Sequence, residues 1–150
     1  MNLLADIRLR WYDDSSLMLE DERELIALFL DTLGVSRETA IDIFEALLKA
    51  KKRDMGLTSD ELRDEIIRLR ENRGKKNIEK GLTMRNLQIW LRFYRDIELV
   101  ERFGSRYRFA KNKKPSQAFR DYTKPEVIDK SSDFMYRLLK EIENRYGVKK

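Results

Sequence analysis

The stretch from Met55 to Lys114 constrains the fold most, because caps, apolar repeats and turn signals follow one another there in a fixed order. Thr58-Ser59-Asp60-Glu61 has the form of a capping box, so a helix is predicted to begin there. A second helix is predicted from about Thr83 to Ile97. After it, Gly104-Ser105 separates two β-prone runs, which indicates a two-residue hairpin. The predicted order is therefore helix, connection, helix and two-stranded hairpin.

The predicted helix at 83–97 has two chemically opposite faces. At about 100° per residue its apolar side chains share one broad face, which we expect to be core: Met84, Leu87, Trp90, Leu91, Tyr94 and Ile97. The opposite face carries Arg85, Gln88, Arg92 and Arg95. Guanidinium and amide groups can grip phosphates and read purine edges in a major groove. Thr83 is the predicted N-cap, which leaves the amino end of the helix open toward a phosphate.

Basic residues flank this helix on both sides. The connection at 72–82 holds four cations that are expected to straddle a phosphate backbone: Arg73, Lys75, Lys76 and Lys80. In the second strand of the hairpin, Tyr107 and Phe109 alternate with Arg106 and Arg108. Successive strand residues point to opposite faces, so one face is predicted to be aromatic and the other cationic. Residues 55–58 are expected to add a short strand.

Charge is concentrated in the middle of the chain. The protein has 150 residues, 39% of them charged, and a formal net charge of +5. Residues 72–114 hold 13 Lys and Arg against 4 Asp and Glu, whereas residues 1–71 hold 11 against 17 and residues 115–150 hold 8 against 6. A basic segment between acidic and near-neutral ones favours a polyanionic partner, because each neutralised phosphate releases counterions.

The composition excludes several kinds of chemistry. The chain contains no cysteine and no histidine, which rules out disulfides and thiolate nucleophiles and removes the commonest metal ligand and general base. We therefore expect no enzyme activity, no metal site and no cofactor. The first residues, MNLLADIRLRWYDD, lack a signal peptide's apolar centre, and no apolar run approaches bilayer length. The expectation is a cytoplasmic protein without membrane contact, with a residue usage typical of thermophiles.

Three regions are predicted: an N-terminal extension and helix at 1–34, a central domain at 35–114, and a connector with a C-terminal amphipathic helix at 115–150. Residues 1–19 fit either a strand or a short helix. A helix at about 20–33 is more apolar than one packing face requires, so we expect its own domain and a partner to cover it. Ser36 is predicted to cap the next helix.

The C-terminal region is predicted as an extended connector followed by one helix. Both prolines lie within residues 111–130, which favours an extended segment. Ser131 or Ser132 is then expected to cap a helix that ends at Gly147. The apolar stripe of this helix either packs on its own domain or joins two chains: Met135, Leu138, Leu139, Ile142 and Tyr146.

The runs LGVSRETAIDIFEALLKAKKRDMGLTSDEL and GLTMRNLQIWLRFYRDIELVERFGSRYRF resemble the winged helix-turn-helix domains of prokaryotic regulators, especially archaeal TrmB-like and MarR-like transcriptional regulators. The resemblance covers about residues 33–110. It implies a mainly α-helical fold with a small β-hairpin wing and extra helices at both termini. It also implies groove-facing or phosphate-facing positions for Thr83, Arg85, Asn86, Gln88 and Arg92, and wing positions for Arg102, Arg106 and Arg108. Two features depart from the family pattern, the long basic connection and the aromatic-rich second helix, in which Phe93 packs on an adjoining helix or a partner.

The leading hypothesis is a DNA-binding transcriptional regulator that reads duplex DNA with helix 83–97 and docks through the connection and the wing at 98–110. A homodimer would place two such helices one turn of DNA apart, which predicts a palindromic site. One alternative is a winged-helix scaffold in the transcription or replication machinery that uses exposed Phe93 and Phe119. Another is an RNA-binding module.

Overall fold

The computed structural model describes residues 1–150. The chain is mainly helical with one small antiparallel hairpin. In order, the elements are α1 (Glu22–Thr32), α2 (Glu38–Lys52), α3 (Ser59–Asn72), α4 (Met84–Asp96), β1 (Val100–Phe103), β2 (Arg106–Phe109), α5 (Pro115–Ala118), a π-helical segment (Phe119–Ile128) and α6 (Asp129–Arg145). Short 3-10 turns occupy Asp14–Met18 and Ala110–Asn112. No helix is both long enough and apolar enough to span a lipid bilayer.

The core forms around α2, which packs against α1, α3, α4 and β2. Phe44 of α2 lies at its centre, with ring centroids 5.5 Å from Phe29, 6.1 Å from Tyr94 and 5.4 Å from Phe109. Aromatic pairs at such separations add stabilisation beyond the area they bury. Phe44 therefore fixes α4 and the hairpin against the same helix.

Local capping signals set the starts of α3 and α4. The amide of Glu61 donates to Thr58 Oγ1 over 3.2 Å, and the amide of Thr58 donates to Glu61 Oε1 over 3.0 Å, so the predicted capping box is confirmed. Thr83 Oγ1 accepts from the amide of Asn86 over 3.1 Å, which confirms the second cap. The Ser36 prediction was wrong. Arg37 occupies the N-cap of α2 without a side-chain cap, because the helix begins one residue later than the periodicity suggested.

The hairpin pairs Val100 with Phe109 and Phe103 with Arg106, with Gly104-Ser105 at its tip. Leu57 adds a single bridge to Tyr107, with amide–carbonyl distances of 3.0 and 2.7 Å, so the short strand predicted at 55–58 is reduced to one residue. Tyr107 and Phe109 are buried, whereas Arg106 and Arg108, which alternate with them, are not. The aromatic and cationic faces of β2 are therefore confirmed.

The first 13 residues form neither of the predicted elements. They run beside the end of α1, where the amide of Arg8 donates to Leu33 O over 3.3 Å and the amide of Arg10 donates to Thr32 O over 2.9 Å. Of the apolar residues in α1, only Ile26 and Leu30 are fully buried. We infer that α1 is covered by its own domain along one stripe only.

The C-terminal region differs most from the sequence-based prediction. Residues 115–145 are helical throughout, so both the extended connector and the serine caps at 131–132 were wrong. Pro115 is tolerated because it occupies the first turn, where its missing amide has no intrahelical partner. Pro125 lies inside the π-helical segment, where the altered hydrogen-bond spacing accommodates it. The helix ends before Gly147, which has φ +70° as predicted for a C-terminal cap.

The apolar stripe of α6 does not pack on its own domain. Met135, Leu138, Leu139, Ile142 and Tyr146 are all exposed, and α6 has no buried residue. Of the two alternatives drawn from the sequence, the structure excludes packing within the chain.

Replacing Thr58 by alanine is expected to destabilise the protein by about 0.5–2 kcal/mol, because the Glu61 amide loses its cap. Ser132→Ala is the matched control. Ser132 lies inside the continuous helix and is exposed, so its loss should change the free energy of unfolding by no more than about 0.5 kcal/mol. Urea unfolding followed by circular dichroism measures both, and equal losses would contradict the capping assignment.

Candidate nucleic-acid interface

The orientation of α4 is fixed by its buried face. Leu87, Leu91 and Tyr94 are completely buried, and Tyr94 Oη donates to the carbonyl of Ala40 on α2 over 2.6 Å. Burial, with a smaller contribution from nearby Asp42, raises the pKa of Tyr94 well above its ordinary value, so the phenol stays protonated. Met84 was predicted to be core but is 39% exposed, because it lies in the first turn of α4 at the margin of the packed face.

The opposite face of α4 is exposed as predicted and carries Arg85, Gln88, Arg92 and Arg95. Arg85 and Arg95 form no ion pair, and Arg92 has only a long contact with Asp96 at 3.8 Å. Gln88 differs, because Nε2 donates to Ser59 Oγ over 3.1 Å and Oε1 accepts from Tyr107 Oη over 3.3 Å. Gln88 therefore joins α3, α4 and the hairpin, and only the three arginines are free.

Two other side chains at the start of α4 have structural roles. Asn86 Nδ2 donates to the carbonyl of Gly81 over 2.7 Å and lies 3.5 Å from Thr39 Oγ1. Thr83 caps the helix. Both residues hold the entry to α4 against α2, so their predicted phosphate or groove contacts would have to be made alongside these bonds.

A buried ionic cluster fixes the connection before α4. Asp42 Oδ2 of α2 accepts from Arg70 Nε at 3.0 Å and Nη2 at 2.8 Å, and its Oδ1 lies 2.8 Å from Arg23 Nη2 and 3.3 Å from Arg73 Nη1. The side chains of Asp42 and Arg70 are 0% and 1% exposed. Arg70 Nη1 also donates to the carbonyls of Ile78 and Lys80 at 2.7 and 2.6 Å. The connection is thus held from inside the domain.

Sequence reasoning missed this cluster. It gave neither Asp42 nor Arg70 a role. Asp42 is buried at the edge of the packed face of α2, outside the apolar stripe visible in the sequence, so periodicity gave no sign of its burial. A buried carboxylate requires a cationic partner.

Two of the four cations of the connection are held by carboxylates, and the other two are not. Arg73 contacts Glu38 at 3.3 Å as well as Asp42, and Lys75 Nζ lies 2.5 Å from Glu38 Oε1. The hydrogen bond from Lys75 lowers the pKa of Glu38. Both side chains therefore turn toward α2. Lys76 and Lys80 are exposed and form no ion pair.

The wing arginines also divide between two faces of the hairpin. Arg102 lies opposite Tyr107 in the β1–β2 register, and its guanidinium is 5.9 Å from the Tyr107 ring. Since Tyr107 reaches Gln88, Arg102 lies on the side of the hairpin that faces α4. Arg102 is exposed and has no carboxylate partner.

Arg106 and Arg108 lie on the other face and are paired. Arg106 Nη1 donates to Glu61 Oε1 over 2.7 Å and to the carbonyl of Gly56 over 3.0 Å; the backbone and side chain of Thr58, then Arg106, lower the pKa of Glu61. Arg108 Nε donates to Glu101 Oε2 over 2.7 Å. Partial burial raises the pKa of Glu101, but hydrogen bonds from the Lys111 amide and Arg108 outweigh it, so that pKa is lowered.

Among the cations predicted to contact DNA, the exposed ones not held by a close carboxylate are here called the free cation set: Lys76, Lys80, Arg85, Arg92, Arg95 and Arg102. They belong to the connection, the outer face of α4 and the hairpin. The remaining predicted basic contacts, Arg73, Lys75, Arg106 and Arg108, would first have to give up an ion pair.

The N-terminal segment borders the second half of α4. A groove of about 240 Å³ separates the two and is lined by Leu3, Leu4, Ala5, Asp6, Ile89, Arg92, Phe93, Asp96 and Ile97.

Phe93 is half-buried, 5.9 Å from Trp90 and 5.5 Å from Tyr94 between ring centroids. Phe119 is also half-buried against the core. Neither is the exposed aromatic that the scaffold hypothesis expected.

No group of three or more acidic side chains is placed where it could hold a metal ion. Comparison of the chain with protein-family models, with curated proteins and with solved structures finds no match.

Proposed function

We propose that this protein binds duplex DNA and regulates transcription, with α4 as the recognition helix and β1–β2 as the wing of a winged helix-turn-helix domain. The element order from α2 to β2 supports this, as does the bridge from Leu57 to the hairpin. The observation that carries the proposal is the outer face of α4. Arg85, Arg92 and Arg95 are exposed there and form no close ion pair, while the opposite face is locked into the core.

The roles follow from which cations are free. Arg85 and Arg92 are the base readers in this proposal, because a guanidinium can donate two hydrogen bonds to one guanine. Lys76, Lys80 and Arg102 flank α4 and neutralise phosphates, which positions the helix without specifying sequence. Gln88 acts as a positioning residue, since both ends of its amide are already bonded. The proposal contains no catalytic step.

The second part of the proposal is a homodimer formed through α6. The exposed stripe from Met135 to Tyr146 lies on one side of the helix and has no partner within the chain. From Asp133 to Arg145 the helix carries three basic and three acidic residues, so a second copy meets a surface without net charge although the whole protein is positive. An apolar stripe with balanced flanks is suited to pairing with itself.

Arg92→Ala is expected to weaken binding to a selected site by about 1–3 kcal/mol and to relax sequence preference there. Lys76→Ala should weaken binding to all duplexes alike, because it removes a phosphate contact. The control is Lys49→Ala, which removes an exposed cation from α2, outside the free cation set. Gel-shift titrations on selected and unrelated duplexes measure all three variants, and Lys49→Ala should bind like the parent. An Arg92→Ala or Lys76→Ala variant that binds like the parent would contradict the assigned roles.

Selection of bound sequences from a random duplex pool tests the regulator itself. The expected product is a palindrome with half-sites about 34–36 Å apart, one helical turn. A pool that binds but is not enriched for any sequence would overturn sequence-specific regulation.

A further inference from the structure

The tip of the hairpin presents an aromatic ring to solvent. Phe103 is the last residue of β1, next to Gly104-Ser105, and is 64% exposed. Single exposed apolar side chains are common and require no explanation. Phe103 differs because its ring is held in place by a charged neighbour.

That neighbour is Arg108, whose guanidinium carbon lies 4.0 Å from the centroid of the Phe103 ring. Arg108 is fixed in turn, because Nε donates to Glu101 Oε2 over 2.7 Å and Glu101 Oε1 accepts from the Lys111 amide over 2.9 Å. The guanidinium therefore covers one face of the ring. The exposed area of Phe103 belongs to its other face and its edge.

A fixed aromatic ring with one open face, on a cationic hairpin, suits a nucleobase. Bases stack on such rings with little dependence on sequence, and the guanidinium behind the ring strengthens it as a platform. Exposed Arg102 leaves the opposite face of the hairpin, but its Nε donates to the Gly104 carbonyl at the tip over 3.1 Å, where the guanidinium can meet the adjoining phosphate. A side chain inserted between two stacked base pairs must offer both faces of its ring. One face of Phe103 is occupied by Arg108, so intercalation of this kind is excluded.

We propose that Phe103 is a stacking platform for one unpaired base next to the end of the bound duplex. This inference rests on the proposed DNA binding and adds a preference for junctions between double-stranded and single-stranded DNA. The recognition is by stacking, so the base identity is not specified.

The test compares a blunt duplex with the same duplex carrying a short single-stranded extension, by fluorescence anisotropy of the full-length protein. The parent should bind the extended duplex about 5-fold or more tightly, the lower end of the range measured for one stacked base. Phe103→Ala should lose this preference and bind the blunt duplex within about twofold of the parent. Phe103→Trp should keep the preference. Trp11→Ala, which removes an exposed aromatic from the N-terminal segment, should behave like the parent.

A 2-aminopurine at the first unpaired position gives a second measurement. Its fluorescence should be quenched by the parent and by Phe103→Trp, but not by Phe103→Ala. Equal binding of blunt and extended duplexes by the parent, or a preference that survives Phe103→Ala, would overturn the stacking platform and leave duplex binding intact. Failure to bind either DNA would overturn both proposals.

Discussion

Asp42→Ala is expected to destabilise the protein by about 3–5 kcal/mol, because it leaves a buried guanidinium without its counter-charge. The Arg70 side chain is 1% exposed, and both of its contacts with a carboxylate, through Nε and Nη2, are to Asp42 Oδ2. Arg23 and Arg73 lose a contact as well. A domain of this size is stable by only about 5–15 kcal/mol, so the loss is a large share of the total. Urea unfolding followed by circular dichroism measures it.

Two further variants distinguish the cost of leaving a buried charge unpaired from the cost of removing an exposed ion pair. Glu79→Ala removes an ion pair to Arg63 at 3.1 Å in which Glu79 is 74% exposed, and it should cost less than about 1 kcal/mol. Combining Asp42→Leu with Arg70→Met replaces the central pair by apolar groups and should recover only the part of the loss due to the unpaired buried charge, because the carbonyls of Ile78 and Lys80 still lose the Arg70 donor. An Asp42→Ala variant as stable as Glu79→Ala would show that the cluster does not hold the connection.

Leu138→Asp combined with Ile142→Asp is expected to convert a dimer into a monomer, because it places two carboxylates in the centre of the α6 stripe. Light scattering should give twice 18.0 kDa for the parent and 18.0 kDa for the variant. Asn144→Asp is the control, since it adds a carboxylate on the opposite side of the same helix. All these positions are exposed in the single chain, so the variants should keep their helical circular dichroism.

Loss of the dimer should also weaken binding to palindromic DNA. Two linked recognition helices bind a palindrome with an affinity far above that of one, because the second contact becomes intramolecular. The monomeric variant should therefore bind a palindrome and a single half-site almost equally. A parent that remains at 18.0 kDa would contradict the dimer and the palindrome together.

The sequence predicted the central region well because its signals are local. A capping box at Thr58, a cap at Thr83 and a Gly-Ser pair at the hairpin tip each act within a few residues. The buried face of α4 followed from helical periodicity, except that Met84 in the first turn is exposed and Trp90 is only half-buried. The outward face followed from the same periodicity.

The ion pairs that determine which cations are free could not be predicted from neighbouring residues in the sequence. Arg70 meets Asp42 across 28 residues, Arg106 meets Glu61 across 45, and Lys75 meets Glu38 across 37. Each pair joins parts of the chain that meet only in the folded domain, so sequence spacing gave no sign of it. The last helix was expected, but the helical structure of residues 115–130 before it was missed, because two prolines are strong helix-breaking signals and the π-helical segment that accommodates Pro125 has no simple sequence signature.

The salt dependence of binding to a non-specific duplex tests the central claim most directly. On a non-specific duplex Arg85 and Arg92 have no cognate base to read, so all six members of the free cation set are expected to neutralise phosphates. The value of log Kobs should then fall with log[salt] with a slope of about −5 per bound protomer. The triple variant Arg85→Ala, Arg92→Ala, Arg95→Ala should reduce that slope to about −3. A parent with no measurable duplex affinity, or a triple variant with the slope of the parent, would contradict the account.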